Sequence, residues 1–562
     1  MMNMKTVNIY NKVKRLKKLT KLGCAAFLVF SLSQSLIFLT SCSDWDDHYE
    51  PDAASGSNLT LWQQLQANSQ LSDFCQVLDQ TKVFRMHKKT SVSYAQLLDG
   101  GQSFTVVAPV NGTFNRDSLL QLVQTNQGDS VVEKFFVLNH LSRSNSSLNG
   151  EEQSMLLLNS KFVKMANGKI EGVGVTTPNC HAKNGVLHVT EGPLPYEYNL
   201  YEALCDIPEF SSIGSLLRQY EEDYFDADAS VSSGIVEGEP VYVDSVVIEY
   251  NKMLEYIGLI NAEDSTYWVL APTKAEWEQA WDEAKNYFVY DQSVLKRDSL
   301  QQYWTARALL DNAIFNMTDQ LSVEDSLVSI RYLVERPYFA SGKPVGHVFH
   351  KPFAAGGILD GAEAIKCSNG QLYKTPRWPF TPEQTYLREV WSEGESIALI
   401  LSDKDCTYNP RRLVADSISE NSYLQIVPRS SIANWDLTFR LNNVLSGTYD
   451  ICAVLLPKSV ANQDNPDMRP CKFKATINYL DETGAAKSFN CDNKQFQSNP
   501  ERVDTIVLAE AFHFPVSNFG ETAISFSIKL SCAILARETS KYAREMYLDC
   551  IYLRPRNENN NQ

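Results

Sequence analysis

One apolar pattern occurs twice in this chain, and any fold must accommodate both copies. The first covers residues 103–114 and the second residues 266–277. Each opens with a β-branched and aromatic run, Phe104 to Val107 and Tyr267 to Leu270, that suits a buried strand. Each then meets Ala-Pro, at Pro109 and Pro272, where proline removes a ladder donor and the strand must stop. After the second copy, Thr273 and Glu276 have the T-x-x-E spacing of a capping box and predict a helix start. After the first, Asn111 is the expected N-cap. Each copy is followed downstream by Asn-Gly, at Asn184-Gly185 and Asn369-Gly370, leading into an alternating strand. Asn-Gly is a strong hairpin signal, and two strand-stop-helix motifs with their own hairpins read as a duplicated domain.

These segments resemble the fasciclin (FAS1) family. Residues 103–114 and 184–189 resemble both of its signature segments closely; the second copy keeps Ala271-Pro272 and Asn369-Gly370 but has Tyr373 where the first has His188. The family's Tyr-His pair looks like Asn139-His140 in the first repeat. In the second repeat its expected counterpart is Phe315-Asn316, without a histidine. The resemblance implies a wedge of β-sheet and helices used for adhesion and extracellular binding, and it implies no catalysis. His140 reads as a core histidine whose loss costs stability more than binding.

The first 41 residues read as a targeting segment. Lys12, Lys14, Arg15, Lys17, Lys18 and Lys21 precede an apolar run over 23–39, and 39–42 (Leu-Thr-Ser-Cys) resembles a bacterial lipobox. This implies cleavage before Cys42 and lipidation of that residue, with several acyl chains giving stable anchoring. Removing residues 1–41 takes away seven Lys/Arg and no acid, which moves the formal net charge from −16 to −23. So acidic a body excludes nucleic acid as a partner. Asp44, Asp46 and Asp47 directly after Cys42 resemble the acidic export signal of Bacteroides-type surface lipoproteins. The expected location is therefore the outer membrane, facing the exterior. Ten cysteines remain after Cys42, none spaced C-x-x-C; disulfides and buried free thiols both fit them.

The expected fold class is α+β: two tandem FAS1 domains, residues 58–198 and 199–382, then an all-β jelly-roll-like sandwich over 390–555. An acidic linker over 42–57 precedes them, and a disordered tail over 556–562 follows. The sandwich rests on short runs of period-two alternation, such as 423–427, 437–441, 449–455 and 524–528. Residues 445–449, 503–514 and 548–553 resemble the galactose-binding-like jelly rolls of carbohydrate-binding modules. The acidic insert over 220–239 reads as a solvated loop; it could offer carboxylates to calcium but lacks the EF-hand glycine and ligand order. Residues 284–306 read as an irregular helical arm.

No G-x-S-x-G, H-E-x-x-H or phosphate-binding glycine loop occurs, so the chain is read as a non-enzyme without cofactor. His347 and His350 lack a third ligand for a metal site. Aromatic rings pack well on sugar C–H faces, and Trp378, Trp391, Tyr408 and Trp435 are the candidate ligand-binding residues, with Tyr423 beside them. An Asp-Ser/Thr-apolar pattern resembles the O-glycosylation site of Bacteroides-type exported proteins. It marks Ser118, Ser130, Ser245, Ser299, Ser326 and Ser417, and also Thr505. The expected function is glycan or peptide binding at the cell surface, as an accessory of a SusC/SusD-type transporter. FAS1-mediated adhesion is the alternative.

Overall fold

The computed structural model describes residues 58–556, apart from 86–87, 237–238, 321, 331–345, 416, 462–466, 492–494 and 521–525. The signal segment, Cys42, the linker and residues 557–562 of the tail lie outside the described residues. Of the described residues, 58–159 together with 163–194 form one unit; 160–162 and those from 195 to 556 form the other.

In the first unit, strand Phe104–Pro109 is buried at every position and ends on its proline. It runs parallel to Gly185–Thr190 and antiparallel to Leu141–Ser142. Val173–Ala182 continues the seven-stranded sheet beyond Gly185–Thr190. Helices Leu61–Ala67 and Ser72–Gln80 bury Leu61, Leu65, Phe74, Val77 and Leu78 in its core. The next helix, Arg116–Leu122, is capped by Asn115, whose side chain accepts from the Ser118 N–H at 3.0 Å. Asn111 is therefore not the N-cap. It accepts from the Asp73 N–H at 2.9 Å and donates to the Ser69 carbonyl at 2.9 Å, tying the strand end to the preceding helix.

The second unit begins with the same arrangement. Tyr267–Pro272 runs parallel to Gly370–Thr375 and antiparallel to Ile314–Asn316, with Glu363–Cys367 on the outer side. Pairing of Val106 with Leu141, and of Val269 with Ile314, sets the equivalence of the two repeats. Asn139-His140 thus corresponds to Asn312-Ala313, three residues before the Phe315-Asn316 expected from sequence. The slip arose because both stretches are apolar and only the strand register distinguishes them. Thr273 does start helix Lys274–Lys285, but without a side-chain capping bond. Its capping-box partner Glu276 instead accepts from the Trp378 N–H at 3.4 Å. The acidic insert is not a loop. Glu221–Val236 and Glu239–Asn251 pair as a long antiparallel hairpin. Within the expected irregular arm, helix Arg297–Ala313 begins at Arg297.

Asn-Gly does more than turn the chain. Asn184 is buried; it accepts from the Leu61 N–H at 2.8 Å and donates to the carbonyls of Leu98 and Gly100 at 2.9 and 2.8 Å. Asn369 repeats this clamp: it accepts from Leu200 N–H at 2.9 Å and donates to Ile260 and Ala262 carbonyls at 2.8 and 2.9 Å. The glycines have φ of 144° and 147°. A Cβ on Gly185 would stand 1.9 Å from the Phe104 oxygen, and one on Gly370 1.8 Å from the Tyr267 oxygen. Only glycine allows that approach.

The C-terminal part holds two six-stranded sheets of antiparallel strands. In one, Cys406–Arg412, Ser422–Pro428, Met546–Arg556, Gly447–Leu455 and Asp504–Phe514 follow in that order, and Val390–Glu393 also pairs with Met546–Arg556. In the other, the order is Ile400–Lys404, Asp436–Arg440, Ser527–Cys532, Lys472–Leu480 and Ala486–Asn490, with Phe496–Gln497 on Lys472–Leu480. Leu424, Ile426, Ile451 and Leu553 from the first sheet share one core with Leu437, Phe439, Phe473 and Ile528 from the second. That core continues into the second repeat. The segment between its helices brings Phe288 against Phe519 at 5.6 Å, and Tyr290 O–H donates to the Phe519 carbonyl at 2.9 Å. The ten cysteines from Cys75 onward are free thiols, seven of them buried.

Candidate functional site

The four aromatic candidates do not converge. Trp435 is fully buried, and its indole N–H donates to the Arg544 carbonyl at 2.7 Å. It is a core residue and not a binding residue, because its ring faces the space between the two sheets. Tyr423 is likewise buried. Trp378 is half-buried in an aromatic nest, 5.8 Å from Trp277 and 5.1 Å from Phe380. Tyr408 is half-buried on the edge strand Cys406–Arg412, opposite Ile426. Trp391 differs. It stacks on Tyr552 with centroids 4.8 Å apart and planes at 17°, on the face of its sheet that points away from the shared core.

Trp391, with the buried Tyr552 stacked against it, lies at the floor of an open groove of about 780 Å³. One wall comes from the loop carrying Ser417, Ser419, Glu420 and Asn421; the other comes from Val503, Asp504 and Thr505. Glu389 sits at the rim, accepts from the Trp391 indole N–H at 3.2 Å and faces the Arg554 guanidinium at 3.7 Å. Arg554 in turn donates to the Tyr552 hydroxyl at 2.8 Å. The half-buried Trp391 ring gives an apolar surface, and the walls give hydroxyl, amide and carboxylate groups.

Two buried carboxylates adjoin the groove: Asp549 in its lining and Glu393 behind it. Ser419 bridges them: its N–H donates to Asp549 at 3.1 Å, and its hydroxyl donates to Glu393 at 3.1 Å. Burial, with Glu393 and Glu395 close by, pushes the Asp549 carboxyl up to about 7. Among the described residues, Glu393, Asp549 and Cys550 are the set whose ligand atoms come together, all within 4.8 Å, so they are the residues able to offer donors to a cation. Sequence reading marked the strand 548–553 but missed Asp549, Glu393 and Tyr552. An aspartate inside an otherwise apolar strand was the available signal for Asp549. It sits where the pairing shifts between Leu455–Leu548 and Val454–Cys550.

His347 and His350 do not share a site. His347 is buried and hydrogen-bonds Asn312, whereas His350 is exposed on strand Val348–His350. Of the marked hydroxyls, Ser118, Ser299, Ser417 and Thr505 are exposed, and Ser130 and Ser326 are half-buried. Ser245 lies in the hairpin strand Glu239–Asn251. No described helix is long and apolar enough to cross a membrane.

Residues 70–195 match the Fasciclin domain family, so the first unit contains a FAS1 domain. No curated protein matches the chain. Among solved structures, the chain is similar to a Paenibacillus xanthan lyase at 15% identity and TM-score 0.21, over 34% of this chain and 16% of that one. It is similar to the CBM22-1 xylan-binding domain from Paenibacillus barcinonensis at 13% identity and TM-score 0.19, over 30% of this chain and 93% of that one. It is also similar to a FAS1 domain pair from the insect cell adhesion molecule Fasciclin I, at 11% identity and TM-score 0.18, over 50% of this chain and 90% of that one. The chain thus spans about a sixth of the length of the xanthan lyase.

Proposed function

We propose that this protein is a non-enzymatic, lipid-anchored binding protein of the outer bacterial surface, taking a glycan or peptide at the groove over Trp391 and Tyr552. The observation that carries this reading is the stacked ring pair, set in an open groove with polar walls. A sugar ring stacks on the indole while the wall hydroxyls, Asn421 and the carboxylates take its hydroxyls. The lipobox-like 39–42 and the acidic 44–47 support anchoring through Cys42 and export. A second FAS1 domain after the first is supported by the repeated Asn-Gly clamp. Exposed Ser118 and Ser299, away from the groove, suit O-glycosylation better than the half-buried sites.

Within this reading the protein serves a SusC/SusD-type transporter by holding ligand near its mouth. A tagged protein purified from native outer membranes then brings down one transporter and its lid in near-equal amounts. Recovery of the lipoprotein alone would move the weight to adhesion, which the Fasciclin match over residues 70–195 favours as the second reading. Affinity gels carrying glycans test the groove directly: the wild-type protein is retarded and Trp391→Ala is not. Hydrolysis of any glycan by the purified protein would overturn the non-enzymatic reading.

A further inference from the structure

The groove's lining is unbalanced in charge. Glu389, Glu420, Asp504 and Asp549 line it, and no lysine, arginine or histidine does so among the described residues. At the rim, Arg554 is engaged by Glu389 and the Tyr552 hydroxyl. Behind the groove, Glu393 and Glu395 add acidic groups; Asp549 accepts from neutral donors, the Ser419 N–H at 3.1 Å and the Cys550 thiol at 3.7 Å, and Glu393 accepts from the Ser419 hydroxyl at 3.1 Å. Sites that bind uronates, sulfates or phosphates place cationic or backbone donors against the ligand's charge. Here an anionic ligand would meet acceptors of its own sign. Such a juxtaposition discriminates against wrong partners more strongly than contacts select right ones.

We infer that the groove over Trp391 and Tyr552 selects uncharged glycan segments and rejects acidic ones, with Glu420 and Asp504 on opposite walls as the discriminating residues. Neutral sugar hydroxyls donate to these carboxylates and accept from Ser417, Asn421 and Thr505. A ring bearing a carboxylate or sulfate meets no counter-charge from the described lining residues and loses hydration on entry. This inference rests on the groove being a glycan site, so its test separates the two.

The probes are hydroxyethyl and carboxymethyl derivatives of one β-linked and one α-linked glucan, cellulose and starch, in affinity gels with the full-length protein. The two substituents are similar in size and differ in charge. The expected result is retardation by a hydroxyethyl glucan that exceeds retardation by its carboxymethyl partner at least about tenfold in apparent affinity. Raised salt narrows that ratio, because the repulsion is screened. In the Glu420→Gln/Asp504→Asn variant the same ratio falls toward one, whatever the absolute affinity. Equal retardation by both derivatives, abolished by Trp391→Ala, would overturn the charge selection and leave the glycan site standing. Preference for the carboxymethyl form would also overturn the selection. Retardation by none of the probes, or retardation unchanged in Trp391→Ala, would overturn the glycan site itself and with it this inference.

Discussion

The two repeats hold the same strands in the same register, yet fill the same positions by opposite chemistry. In the first, Thr105 and His188 are buried polar groups. Thr105 accepts from the Ser146 N–H at 2.9 Å, and His188 donates to the Ser146 carbonyl at 2.9 Å and accepts from the Asn179 N–H at 3.3 Å. A loop is thereby bonded down over the sheet. In the second repeat the corresponding residues are Trp268 and Tyr373, packed edge to face at 5.0 Å, with Phe353 against Trp268 at 6.1 Å. The Tyr373 hydroxyl donates to Gln371 at 2.7 Å. A conserved backbone frame therefore constrains pairing and leaves the cover of the sheet free. A hydrogen-bonded loop and an aromatic cluster are both sufficient, because each leaves few polar groups buried without partners.

A second contrast concerns the imidazole. His140 donates to the Phe136 carbonyl at 2.7 Å and accepts from the Leu194 N–H at 3.0 Å. In the second repeat that position is Ala313, and the ring is supplied by His347 from another segment, bonded to Asn312, the counterpart of Asn139. Both rings are buried and neutral. Burial lowers His140 to about 4 and, with Arg388 nearby, His347 to about 3.

The largest expected effect tests what the repeats share. Gly185→Ala and Gly370→Ala each force a Cβ into a facing carbonyl and destabilise their own repeat by more than about 4 kcal/mol. Denaturant unfolding followed by hydrogen exchange should show loss of protection confined to the unit that holds the mutated repeat; equal loss in both units would break the equivalence. Acid comes next. A base whose folded pKa lies below its unfolded value binds more protons unfolded, so stability is full above about pH 6.5 and falls as pH drops. For His140 the loss accrues between about pH 6.5 and 4 and reaches about 3 kcal/mol. His140→Gln should flatten that slope in the first repeat while leaving the one due to His347, measured by pH-dependent denaturation. Third, Trp268→Ala removes a half-buried ring and should cost the second repeat about 2 kcal/mol in the same assay. Smallest, Thr105→Val keeps the shape but leaves the Ser146 N–H without its acceptor and the Ser144 carbonyl without its donor, a loss of about 1 kcal/mol in the first repeat. A Thr105→Val effect as large as that of Trp268→Ala would show that the polar cover, not the aromatic one, holds more stability.

Some of this was readable in the chain. Phe104–Pro109 and Tyr267–Pro272 are buried strands that end on their prolines, because apolar runs and a missing donor act locally. The alternation at 437–441 and 449–455 likewise appears as strands; Leu437, Phe439, Tyr449, Ile451, Ala453 and Leu455 face the shared core, while Cys452 and Val454 lie on the other face. Asn111, Glu276 and the Phe315-Asn316 pair misled, because each motif admits several partners and only neighbours distant in sequence choose among them. Asn184 and Asn369 read as turn formers although their main contacts lie 84 to 169 residues away.

By itself the sequence determined a repeated strand-stop-helix unit, an acidic chain and a strand-rich C-terminal third, since propensity, proline and charge are properties of short stretches. Tertiary structure alone decided that Trp435 lies inside and Trp391 outside, and that Tyr552, Asp549 and Ser419 meet there. Period-two alternation says that successive side chains face opposite ways; which face another sheet covers depends on strand order, and strand order is set by contacts between distant segments.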